Sequence, residues 1–129
     1  MAQKPIEIIL MRQLAGSLAT PAFVVDEVGT LVYYNEPAER VLGMRFEETG
    51  EMPASEWTTR WQPADDRGVL IPPERLPLAI AVAQERPAHG EFSIQVANGR
   101  RHIAVTAIPL VGHNASVLGA AAFFWETGK

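Results

Sequence analysis

The 129 residues suffice for one domain with one buried core and are too few for two. With 47% hydrophobic residues and a formal charge of -4, the chain reads as an ordinary globular protein with no general pull towards nucleic acid or anionic lipid. The absence of cysteine excludes disulfides, thiolate metal sites and cysteine nucleophiles. No apolar run approaches the roughly 20 residues that a membrane span needs. Met1-Ala2-Gln3-Lys4-Pro5, with one basic residue and then Glu7 interrupting the apolar stretch, makes a poor secretory leader, so a cytoplasmic location is expected.

From the amino end, Pro5 to Leu18 reads as a helix with Ile6, Leu10, Leu14 and Leu18 on one stripe and Ile9 beside it. Ile8, Met11 and Ala15 widen its apolar face. A stripe of about 100° is enough to cover a sheet, so the surplus points to a second contact with another molecule, against the plainer reading of a buried cap helix. Thr20-Pro21 ends the helix. Phe23, Val24 and Val25 then form a strand that closes at Asp26-Glu27-Val28-Gly29, where an acidic residue followed by glycine suits a tight reversal. Leu31 to Tyr34 is the return strand. Asn35 follows directly and can cap a helix whose first turn takes Glu36 and Pro37. Ala38, Val41 and Leu42 give that helix a small apolar face, and Gly43 is its stop.

Met44 to Gly68 is rich in Pro, Gly and Asp and predicts loops and single turns. Trp57 and Trp61, four residues apart, share one face of any helical turn that spans them. They read either as a lid packed on the core or, for one of them, as the wall of a ligand pocket. After a turn at Asp65-Asp66-Arg67-Gly68, a helix starts near Leu76-Pro77 and ends before Pro87, burying Leu78, Ala81 and Val82. Phe92, Ile94 and Val96 alternate with Glu91, Ser93 and Gln95, and Asn98-Gly99 is the strongest hairpin signal in the chain. Arg101 to Leu110 alternates Ile103, Val105 and Ala107 against His102, Ala104 and Thr106. Following a loop at Val111 to Ala115, Val117 to Trp125 is apolar on both faces, which places it centrally in a sheet.

The hairpin running into a capped helix, with its D-x-x-G turn, Asn35 and Gly43, resembles the opening of a PAS domain. The short helices, the later helix and the three long strands continue that resemblance in order over roughly Leu18 to Glu126. It implies an α+β fold: a five-stranded antiparallel sheet with helices over one face and an amino-terminal helix on or near the other. The division is a helix over residues 1–19, a PAS domain over 20–126 and a tail over 127–129. Matched strand by strand, Phe23, Val25, Phe92, Ile94, Ile103, Val105, Ala107, Ala120, Ala122 and Phe124 look inward. His102, Thr106, Ile108, Phe123 and Trp125 look outward, an apolar set that a lone domain would not leave wet. The family's pocket falls on Phe23, Val25, Tyr33, Asn35, Trp57, Leu78, Val82, Phe92, Ile94, Ile103, Val105 and Phe124.

The flavin-adduct branch of the family uses a cysteine within N-C-R-F-L-Q; the nearest stretch is Gly43-Met44-Arg45-Phe46, and the missing cysteine excludes a covalent flavin adduct. The haem branch commonly ligates iron through a histidine on the long helix, which Leu76 to Arg86 lacks, so haem is not expected. His89, His102 and His113 read as surface residues. No catalytic motif is present, and Glu36 with Glu39, or Glu47 with Glu48, reads as solvated helix charge, so no enzymatic activity is expected. The chain ends at Glu126-Thr127-Gly128-Lys129, where the family often has a D-I-T-like junction into an effector. Two readings follow from the resemblance. In one, a small apolar ligand between sheet and helices shifts a dimer or effector contact. In the other, the interior is filled by its own side chains and the domain is an assembly module. Small residues at Ala107, Ala120 and Ala122 favour a pocket. A homodimer is expected, with Leu10 and Leu14 on the sheet and Ile8, Met11, Phe123 and Trp125 meeting the partner.

Overall fold

The computed structural model describes residues 4–128; residues 1–3, which begin the leader reading, and the last residue of the tail lie outside it. Among the described residues, five α-helices and five strands follow one another: α1 Ile6–Gly16, β1 Ala22–Asp26, β2 Leu31–Tyr34, α2 Glu36–Leu42, α3 Phe46–Thr49, α4 Ala54–Trp61, α5 Pro77–Gln84, β3 Ala88–Val96, β4 Gly99–Val111 and β5 Val117–Glu126. The strands form one antiparallel sheet in the order β2-β1-β5-β4-β3. The doubly apolar β5 is therefore the central strand, paired on both sides. All the residues expected to look inward lie in the larger core cluster, beneath α2, α4 and α5. Among the described residues, no helix is long and apolar enough to cross a membrane.

The opposite face of the sheet carries α1, with the two stripes of that helix exchanged relative to the sequence expectation. Ile8, Met11 and Ala15 are buried against Ala22, Val24, Val32 and Ala121, while Ile6, Leu10 and Leu14 are more than half exposed. Ile8 and Met11 are thus core residues of a single chain and are not free to meet a partner. The cause is local shape. The Ile8 Cδ1 atom lies 2.9 Å from where a Cβ on Gly119 would sit, so Ile8 fills the notch left by that glycine. The small side chain of Ala15 lets the end of the helix lie close to the sheet.

Asn35 joins the two layers. Its Oδ1 accepts from the Ala22 and Ala38 amides at 3.0 and 3.1 Å, and its Nδ2 donates to the Ala15 and Thr20 carbonyls at 2.9 Å each. One side chain caps α2, anchors the end of α1 and continues the β1–β2 ladder. Gly43 ends α2 at φ 77°, as its position suggested.

Both sheet edges are protected by single-residue bridges. Leu31 on β2 exchanges backbone hydrogen bonds with Met52 at 2.7 and 3.2 Å, and Ser93 on β3 exchanges two with Ala64 at 2.9 Å each. The Arg100 guanidinium strengthens the second bridge, donating to the Ser93 hydroxyl and carbonyl, to the Gln95 side chain and to the Gln62 carbonyl. Part of the stretch expected to be loops and single turns is ordered as α3 and the eight-residue α4, with Trp57 and Trp61 buried on one face of α4. In the β3–β4 hairpin, Val96 pairs with Gly99, so Ala97 and Asn98 form the loop and Gly99, at φ 110°, opens the next strand.

Candidate functional site

The candidate site is the interior between the sheet and the helical layer. A cavity of about 60 Å³ lies there, lined by Phe23, Leu42, Trp57, Trp61, Pro63, Leu76, Pro77, Leu78, Phe92, Ile94, Ile103, Val105, Ala122 and Phe124. Aromatic packing closes much of the rest. Phe23 meets Trp57 and Trp61 edge-on at 5.1 and 6.0 Å between ring centroids, and Tyr34 meets Trp61 at 6.0 Å and Phe46 at 5.4 Å. The Trp57 indole N–H donates to the Gly29 carbonyl at 3.0 Å, tying α4 to the β1–β2 turn.

Most residues assigned to a pocket from the sequence surround this cavity: Phe23, Trp57, Leu78, Phe92, Ile94, Ile103, Val105 and Phe124. Val25 and Val82 line a separate open cleft outside it. Tyr33 lies on the other face of the sheet, packed against the cluster under α1, with the Arg12 guanidinium 5.6 Å from its ring centre. The reason is a bulge. Val24 pairs with Tyr33 but Val25 pairs with Leu31, so Val32 is an extra residue on β2. Leu31 and Tyr34 consequently both point inward, where simple alternation puts Leu31 with Tyr33. Asn35 is buried but wholly engaged with backbone groups, and it does not reach the cavity. Leu42, Trp61, Pro63, Leu76, Pro77 and Ala122 complete the lining. Of these, Trp61 was detectable by its spacing from Trp57 and Ala122 by its inward strand position, whereas Pro63 arrives only through the Ala64–Ser93 bridge.

This arrangement recurs in solved structures. The PAS domain of a protein from Colwellia psychrerythraea superposes with a TM-score of 0.65 at 18% identity, covering 92% of this chain and 96% of that one. The fold is that of a PAS domain. A Rhodobacter sphaeroides LOV protein matches this PAS fold with a TM-score of 0.73 at 16% identity, over 97% of this chain and 70% of the other. The PAS domain of Bordetella pertussis BvgS matches at 0.58 and 14% identity, over 95% of this chain and 87% of that one. No protein-family profile matches the sequence, and no curated protein matches it either.

The cavity lining is made of hydrocarbon, aromatic and proline side chains, with the indole N–H of Trp57 already engaged. His89, His102 and His113 all lie off the cavity. Among the described residues, no group of three or more metal-ligating side chains comes together. The phenol of Tyr34 is the buried titratable group nearest the site. Burial raises its pKa above 10.0, and its hydroxyl donates to the Met44 carbonyl at 2.8 Å.

Proposed function

We propose that this PAS-fold chain is a non-catalytic signalling module that works as a homodimer, through its α1 helix and outer sheet face, with an interior filled by its own side chains. The size of the cavity carries this reading. About 60 Å³ is less than half of the roughly 150 Å³ void that admits benzene, and far below the roughly 300 Å³ of ordinary ligand pockets. The wholly apolar lining supports a second reading, in which a very small apolar guest enters and a relay runs to an effector protein.

The outer face supplies the surface. Ile6, Leu10, Leu14 and Trp125 are between 45% and 64% exposed, and Ile108 is 37% exposed beside α1. A twofold contact would bury each of these side chains in both copies. Full burial of such a side chain contributes about 1.5 to 3 kcal/mol, and roughly half of that is still available here. Ile6, Leu10, Leu14 and Trp125 from both copies, eight groups about half exposed, then supply about 6 to 12 kcal/mol, comparable with an association cost of about 4 to 15 kcal/mol. The dimer is therefore expected to depend on concentration. Leu10→Asp combined with Leu14→Asp should give a folded monomer in sedimentation velocity, because both side chains are exposed in the single chain. Ile8→Asp should instead unfold the protein, since it places a charge in the Gly119 notch. A double variant that dimerises like the wild type would refute the proposed surface.

A further inference from the structure

On the helical side, an open cleft of about 330 Å³ lies between the β1–β2 turn, α4 and the start of α5. Val28, Ala54, Pro73 and Ala79 form its walls. Its floor is Trp57 and Leu78, the same two side chains that wall the interior cavity. The indole is pinned there by its hydrogen bond to the Gly29 carbonyl, so the floor is a fixed apolar plate. Val28, at 75% exposure, leaves the rim apolar as well.

The ionisable side chains that line the cleft are Glu27 and Glu74, both exposed. Among the described residues, no Lys, Arg or His lines it and neither carboxylate takes part in an ion pair. Ala54 and Ala79 bring the amino ends of α4 and α5 close by, and each helix end carries about half a positive charge. Two full carboxylates outweigh those two ends, which leaves the cleft negative over an apolar floor.

We propose that this cleft binds a small organic cation, an ammonium group at the Glu27 and Glu74 mouth with an apolar or aromatic body on Trp57 and Leu78. It lies on the opposite side of the sheet from α1, so the test of this site succeeds or fails independently of the dimer.

The probe is 2-phenylethylammonium at millimolar concentration, with 3-phenylpropanoate as the matched anion, both followed by ¹H–¹⁵N correlation NMR. The Trp57 indole signal is identified by its disappearance in Trp57→Phe. The cation should shift that signal together with the amides of Val28, Ala54 and Ala79, while the anion leaves them in place. Glu27→Gln combined with Glu74→Gln, both at exposed positions, should keep the folded spectrum and weaken the cation by about two- to tenfold. Absence of shifts would overturn the site. So would equal binding of the anion, undiminished binding by the double variant, or shifts confined to Phe92, Ile94 and Val105 in the interior.

Discussion

Replacing Asn35 by alanine tests how the two layers are held together, and its effect can be worked bond by bond. The substitution removes four hydrogen bonds of 2.9 to 3.1 Å. Two of the losses are softened. The Thr20 carbonyl belongs to an exposed residue and can be hydrated, and the Ala15 carbonyl keeps the Leu18 amide at 3.2 Å. The Ala22 and Ala38 amides belong to fully buried residues and lose the oxygen they donate to. Each buried donor left without a partner costs about 1 to 3 kcal/mol, with the loss of the α2 cap contained in the second term. The expected loss is about 3 to 4 kcal/mol, which for a domain of this size lowers the melting temperature by roughly 10 to 15 °C. Urea unfolding followed by tryptophan fluorescence measures it, with an unchanged denaturant slope showing that the native state is otherwise intact. Native-state hydrogen exchange should show the Ala22 and Ala38 amides losing protection first. A loss below about 1 kcal/mol would mean that water replaces the side chain, and the view of Asn35 as the joint between layers would fail.

Two further outcomes follow from the same geometry. Burial raises the Tyr34 pKa above 10.0, so its stabilising contribution is whole below that pH and is lost as the pH climbs through the folded-state value. Stability should therefore fall above about pH 10 more steeply in the wild type than in Tyr34→Phe, and parallel profiles would count against it. Arg100→Ala removes the donors that fasten Gln62 and Ser93, and it should speed hydrogen exchange at Ala64 and Ser93 while costing about 1 to 2 kcal/mol of global stability. Unchanged exchange at those two amides would show that the backbone bridge holds without the guanidinium.

Strand chemistry was the most legible part of the sequence. The period-two alternation marked β3 and β4 and the doubly apolar run marked β5 as central, while the choice of inward face came from the resemblance to PAS domains; every residue placed inward that way lies in the larger core. The turn at Asp26, the cap at Asn35 and the stop at Gly43 were equally readable, since each depends on one residue and its neighbours. Contacts that depend on the shape of a distant element were not. The choice between the two apolar stripes of α1 is made by the notch at Gly119, more than a hundred residues away, and both stripes look equivalent in periodicity. The Val32 bulge is set by pairing with β1, and it sends Tyr34 inward in place of Tyr33. The size of the cavity was illegible for a related reason. Alanines at 107, 120 and 122 suggested room, but Trp57, Trp61 and Phe23 fill it from α4 and β1.

Native mass spectrometry of the protein as purified addresses subunit number and interior occupancy together. The filled interior and the apolar outer face predict a dimer, dissociating on dilution, with the mass of two bare chains; molecules in the open cleft exchange away during desalting. A monomer at high micromolar concentration, or a copurifying molecule larger than benzene held in each chain, would contradict the proposed function.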